Sequence, residues 1–372
     1  MPPLTRRDVL LGTLSTSALG LVGCDSAPIK IGFVGGLTGR TADLGLAGRD
    51  GALLALEQAN LAGGVGGRQL ALLTADDQQN PDTAAAAFQT LREAGVALIV
   101  GPMTSAMAMA MVPLANAAGL VMVSPTVTTS ALTGLDDHFF RVISSTREYA
   151  QASARFHAQR SKLLRVAAVL DMSNAAYTER WLDDFETEFR ALGGEVVARE
   201  GYRFKPGMAF ADLARSALAS QPDGLLLLTG AVDAAQLIQQ VRKLQPSLPL
   251  MTAEWAATEQ LLELAGGAAE GVVAAQFLDR TNTAPAYRQF RLAYQQRFGN
   301  PSGFADLAGF DAMRVALQAL GAQQRGEHLR QTLLRVRQFE GTQQVVAFDA
   351  TGDAVRQTYI TVVRQGRYEV LA

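Results

Sequence analysis

Cysteine is almost missing: Cys24 stands alone among 372 residues, so no internal disulfide can form and no thiol is left in the body of the chain for catalysis. Histidine is nearly as scarce. His138, His157 and His328 lie far apart, none has a partner at metal-ligand spacing, and His157, set between Arg155 and Arg160, reads as a solvated helix position. Neither the serine elbow G-x-S-x-G nor the zinc motif H-E-x-x-H occurs, and the glycines from Gly35 to Gly39 form neither a dinucleotide fingerprint nor a P-loop. Carboxylates at strand ends (Asp76, Asp77, Asp171, Glu254) have the chemistry of a general acid and base, but nothing in the sequence pairs them. An enzyme, a cofactor and a metal are therefore not expected. The net charge of −2 leaves no basic footprint for nucleic acid.

Long apolar runs are also lacking. The one near the start, Val9 to Val22, falls short of the roughly 20 residues that span a bilayer. It follows Thr5-Arg6-Arg7-Asp8, which resembles a twin-arginine export signal, and it leads to Leu21-Val22-Gly23-Cys24, which resembles a bacterial lipobox. The expectation is an export signal over 1–23 and a lipidated Cys24 opening a short tether over 24–28, which anchors the protein to a membrane outside the cytoplasm. An uncleaved anchor or a plain secretory signal is the alternative, and export follows either way.

What the chain has in quantity is alternation. Apolar runs of strand length, such as Ile29 to Val34, Leu164 to Leu170 and Leu225 to Leu228, take turns with helical patterns from Ala47 onward, which predicts α/β architecture with mostly parallel sheets flanked by helices. Trp181, Phe185 and Phe189 recur every fourth residue as a core stripe; Met107 and Met111 suit helix-to-sheet packing. A β-rich tail pairs Val345 to Phe348 with Gln357 to Val363 across the turn Asp349 to Asp353. The most informative stretches are Leu98-Ile99-Val100-Gly101-Pro102-Met103-Thr104-Ser105 and Leu120-Val121-Met122-Val123-Ser124-Pro125-Thr126-Val127-Thr128. Both are buried-strand patterns that break into hydroxyl residues where a helix begins. Open α/β sheets bind ligands at that edge, and helix-start N–H groups beside hydroxyls suit a carboxylate. Serine and threonine are also ordinary N-caps there, and spacing alone leaves both readings open.

Taken in order, Ile29-Lys30-Ile31-Gly32 with Thr38-Gly39, Asn60-x-x-Gly63-Gly64-Val65-x-Gly67-Arg68, Asp76-Asp77, Gly101 with Ser105, and Ser124-Pro125-Thr126-Val127-Thr128 resemble the periplasmic Leu/Ile/Val-binding protein family, the type I solute-binding proteins of ABC importers. The resemblance covers essentially the whole mature chain. It implies a two-lobe periplasmic-binding-protein type I fold, with 29–146 plus 278–345 as one lobe and 147–277 plus 346–372 as the other. It also implies that Ser105, Thr126 (through its backbone) and Thr128 hold an amino-acid carboxylate and ammonium, that Tyr177 reaches in from the second lobe, and that Glu254 pairs with the ammonium. Leu44 and Gly230 stand where relatives often carry pocket aromatics, so the side-chain pocket is expected to be rebuilt around Leu44, Gly230 and Trp255. The implied role is capture of a small amphoteric ligand, a neutral or branched-chain-type amino acid, for an ABC permease in the inner membrane. A short amide, urea or small carboxylate is the alternative ligand, and a sensor or regulatory envelope lipoprotein the alternative role.

Overall fold

The protein is described by a computed structural model covering residues 27–40 and 42–371; the expected export signal and Cys24 lie outside the described residues. The first sheet is built from β1 (Ile29–Gly35), β2 (Leu70–Asp76), β3 (Ile99–Val100), β4 (Met122–Ser124) and β5 (Phe139–Arg141), with α1 (Ala42–Leu61), α2 (Pro81–Glu93) and α3 (Ser105–Ala118) between them. All five strands are parallel, in the order β2-β1-β3-β4-β5. Continuous apolar runs form them because helices cover both faces of a parallel sheet, so neither face tolerates polar residues. Local chemistry starts the helices: Asn80 accepts hydrogen bonds from the N–H groups of Asp82 and Thr83, and Pro81 fills the first helical position.

After β5 the chain passes to a second sheet through α4 (Thr146–Gln159), β6 (Arg165–Asp171), α5 (Ala175–Ala191), β7 (Glu195–Tyr202), α6 (Phe210–Leu218), β8 (Gly224–Leu228), α7 (Ala231–Leu244), β9 (Leu250–Thr252), α8 (Glu259–Ala265) and β10 (Val273–Gln276). It then returns as α9 (Pro285–Phe298), α10 (Phe304–Ala322) and α11 (Leu329–Val336), and crosses a third time through β11 (Gln338–Phe339) and β12 (Val346–Ala347) to β13 (Tyr359–Arg364) and β14 (Arg367–Val370). The second sheet runs β14-β13-β10-β9-β8-β6-β7, parallel except that β13 lies antiparallel to both β10 and β14. Helix α10 closes on α1 of the first sheet at a distance only glycine permits. A Cβ on Gly51 would sit 1.9 Å from the Asp306 carbonyl oxygen, and one on Gly309 2.1 Å from that of Gly48. The third crossing is pinned by Arg356, whose guanidinium meets the Asp311 carboxylate at 3.0 Å with both side chains out of solvent. The aromatic stripe of α5 behaves as its period predicts: Trp181, Phe185 and Phe189 are fully buried and stack in succession at 5.7 and 5.0 Å.

Two expectations fail. Val345 to Phe348 do not pair with Gln357 to Val363; beyond the single bridge between Phe348 and Ala354 the two arms part. The Asp349–Asp353 turn forms, with Asp349 Oδ1 accepting the Thr351 and Asp353 N–H groups at 2.8 and 3.1 Å, but its arms diverge. Asp353 is tied to Arg141 at 2.6 Å, which fixes the turn beside β5. One arm (β12) then pairs with β11 and the other (β13) with β10, where its apolar residues find a larger buried surface. His157 is the second. It is buried rather than solvated, because it falls on the α4 face that carries Tyr149, Ala150, Ser153 and Ala154, while Arg155 and Arg160 turn outward. Burial pushes its imidazole down to about 4 and keeps it neutral.

Candidate functional site

The carboxyl ends of the two sheets face one another around a cavity of about 20 Å³, room for about one water. That is far below the roughly 300–1,000 Å³ usual for small-molecule sites, so a ligand of amino-acid size enters only if the walls move apart. The first sheet contributes its β3–α3 and β4 loops. Gly101 makes the first sharp turn: its φ is +123° and a Cβ there would meet the Val34 carbonyl oxygen at 2.3 Å, so only glycine fits. Thr104 follows as the N-cap of α3, yet its hydroxyl makes no capping bond; it is buried, lines the cavity and has no partner among the described residues. Beside it, Ser105 Oγ accepts the Thr129 N–H at 3.3 Å. The two loops are braced by Ser124 donating to the Pro102 carbonyl at 2.8 Å and Thr126 donating to that of Met103 at 2.5 Å. The Thr126 hydroxyl is thus committed to the protein.

The second sheet presents Asn174, Tyr177, Glu254 and Trp255. Asn174 Oδ1 accepts the Ala106 N–H of α3 at 3.0 Å, a direct bond between elements of the two sheets. Glu254, at the end of β9, is buried and receives Trp181 Nε1–H at 3.2 Å on one oxygen and the Thr128 hydroxyl at 3.3 Å on the other. Burial pushes its carboxyl up to about 7, and the donors around it, its own backbone N–H, the Trp181 ring N–H and the nearby Tyr177 and Thr128 hydroxyls, oppose that rise. The Tyr177 hydroxyl faces the same carboxylate without completing a well-aligned hydrogen bond, and burial, reinforced by that negative charge, raises it well above the usual phenol range. Its ring packs edge-on against Trp255, centroids 5.6 Å apart. Leu44, Met103, Trp255 and Phe304 form the apolar wall. Leu44 and Phe304 also line a wider cleft between α1 and α8, so they separate the cavity from that solvent-filled space.

Chemically the cavity offers one carboxylate on one side, unengaged polar groups at a helix N-terminus on the other, and an apolar end. No Lys, Arg or His is among its described lining residues. An anionic group there would be held by N–H and hydroxyl donors alone.

Of the residues singled out from sequence, Ser105, Thr126, Tyr177, Glu254, Leu44 and Trp255 come together around this cavity. Thr128 stands behind it, holding Glu254 rather than lining the space. Gly230 is not among the lining residues; it is the N-cap of α7. Sequence reasoning missed Met103, Thr104, Asn174 and Phe304 as lining residues. Thr104 could have been found, because it sits in a strand-end loop marked as a possible binding edge, and Asn174 because it closely follows the strand-end carboxylate Asp171. Phe304 could not: it opens a helix that follows the second crossing, and no local pattern aims it at the site.

The profile of a family described as "Periplasmic binding protein" matches residues 28–367. Over 331 residues the chain is 27% identical to a leucine-, isoleucine-, valine-, threonine-, and alanine-binding protein of Pseudomonas aeruginosa, covering 87% of each chain. Among solved structures, an ABC transporter substrate-binding protein from Desulfitobacterium hafniense in complex with Leu superposes with a TM-score of 0.77 at 26% identity, over 92% of this chain and all of that one. The branched-chain amino acid transporter substrate-binding protein LivJ from Streptococcus pneumoniae, in complex with isoleucine, gives a TM-score of 0.83 at 23% identity over 92% and 99%.

Proposed function

The chain belongs to the periplasmic binding protein family, and from that membership we propose that it captures a neutral amino acid of the branched-chain type outside the cytoplasm and hands it to an ABC permease. One observation carries the reading. A single buried carboxylate, Glu254, stands across a small cavity from the unengaged Thr104 hydroxyl and the start of α3, and an apolar wall closes the third side. That is the polarity of a zwitterion with an aliphatic side chain. The ammonium goes to Glu254, the carboxylate to Ser105, Thr104 and the backbone at Thr126, and the side chain to Leu44, Met103, Trp255 and Phe304.

Closure follows from the same geometry. Each end of the ligand is held by a different sheet, so only the closed arrangement satisfies both ends, and the ligand favours that form by its differential contacts with it. Export and anchoring complete the proposal: Arg6-Arg7 directs the chain out, and Cys24 carries the lipid that keeps it at a membrane.

A thermal-shift screen of the protein truncated to begin after Cys24, against amino acids, amides and small carboxylic acids, tests the ligand class. A ligand at 100 times its dissociation constant stabilises by about 2.7 kcal/mol. Both tryptophans of the chain, Trp181 and Trp255, belong to the site, so intrinsic fluorescence reports occupancy directly. Stabilisation by L-leucine, L-isoleucine or L-valine is expected. Stabilisation by amides or small acids alone would overturn the amino-acid reading.

A further inference from the structure

A cluster outside the cavity also joins the two sheets. Arg40 lies in the loop after β1 and Asp233 in the first turn of α7, 193 residues away. The Arg40 Nε–H reaches Asp233 Oδ1 at 2.7 Å, and the Nη2 group bonds the same oxygen. The second oxygen of Asp233 takes the Tyr202 hydroxyl at 2.5 Å. The guanidinium lies over the Phe204 ring, 4.2 Å from its centroid, with Phe210 at 5.8 Å. Asp233 and Tyr202 are buried, and the Arg40 side chain keeps about a quarter of its exposure (28%), so water screens the pair only in part.

Position in the fold gives the cluster its meaning. Arg40 follows β1, beside the edge strand β2, whereas the chain leaves the first sheet from β5 at the opposite edge. Tyr202 ends β7, the far edge of the second sheet, and Asp233 follows β8, while the other two crossings attach at β10 and β13. The contact therefore sits away from all three crossings. Any rotation of one sheet against the other about those crossings separates Arg40 from Asp233 by a long lever. Within each sheet nothing would change, because Asp233 and Tyr202 move together.

We infer that Arg40 and Asp233, backed by Tyr202 and Phe204, form a rim latch that holds the two lobes closed and so sets how long the ligand stays. They are positioning residues; neither lines the cavity. The pair is made only in the closed form, so it adds to the closed population and slows release without any contact to the ligand. This inference rests on the ligand-binding reading for its kinetic readout and is independent of it for its scattering readout.

The test uses the protein truncated to begin after Cys24, L-leucine as probe, stopped-flow tryptophan fluorescence, and small-angle scattering of the ligand-free protein. Arg40→Ala should raise the dissociation rate roughly ten- to a hundredfold. Arg40→Lys should recover part of that loss, since a point charge still reaches Asp233 but loses the stacking on Phe204. An unchanged dissociation rate in Arg40→Ala, or no recovery with lysine, overturns the latch. If wild-type protein binds no amino acid, it is the proposed function that has failed, and the latch is then judged on scattering. A larger radius of gyration in Arg40→Ala than in wild type supports it, and an identical one overturns it.

Discussion

Replacing Glu254 with glutamine should move affinity and stability in opposite directions. In the ligand-free protein burial pushes the carboxyl from an ordinary 4.5 to about 7. An ammonium needs the ionised form, so below pH 7 binding must first expel a proton. Between pH 8 and pH 5 the affinity of the wild type should fall by up to about a hundredfold, near 2.7 kcal/mol at 1.36 kcal/mol per unit. Glutamine cannot ionise, so Glu254→Gln should flatten that profile. At pH 8 it should also bind about 30-fold or more weakly, because truncating a buried charge pair costs roughly 2–5 kcal/mol. Stability runs the other way. A folded-state pKa raised above the unfolded one means that the contribution is intact below about 4.5 and is lost as pH rises through about 7. The ionised carboxylate thus weakens the empty protein at pH 8 by at most about 3 kcal/mol. Glutamine removes that cost while still accepting from Trp181, so the ligand-free variant should melt at a higher temperature than wild type at pH 8. Isothermal titration at pH 5 and 8 with calorimetric melting decides the matter. A variant that keeps wild-type affinity and pH profile, or melts lower without ligand at pH 8, would refute the role given to Glu254.

Thr104→Val, which keeps the shape but removes the buried, unpartnered hydroxyl, should weaken binding by about 1.5–3 kcal/mol, the worth of a hydrogen bond to a charged group, and Thr104→Ser should restore it, as read by titration calorimetry. Phe304→Ala removes the wall between cavity and outer cleft; a competition assay should show L-phenylalanine gaining on L-leucine. Arg356→Met strands Asp311 without its counter-charge where both are excluded from water and should cost about 3–5 kcal/mol in urea unfolding. Gly309→Ala sets a methyl 2.1 Å from the Gly48 carbonyl oxygen and should cost about 1–3 kcal/mol by overpacking the α1–α10 contact, measured the same way.

Much of this molecule is legible in one dimension. Strands such as Leu225 to Leu228 and the Trp181-Phe185-Phe189 stripe announce themselves because burial selects apolar residues, and the loops after Val100 and Val123 stand out because strand ends lead into helix starts, where capping explains the hydroxyls as well as binding does. Glu254 was one of four carboxylates at strand ends, and it was the family resemblance that singled it out. Where sequence misled, it reported a local preference that a distant surface overruled: the Asp349 turn forms, but Arg141 and β10 decide where its arms go. His157 was misread from its neighbours in the chain, when its neighbours on the helix face were the ones that mattered. Only the docking of the two sheets brings Thr128 onto Glu254, sets Asn174 on the Ala106 N–H at the start of α3, and closes Arg40 on Asp233. These contacts span 68 to 193 residues. Periodicity records which side of an element is buried, and it carries no information about which other element does the burying.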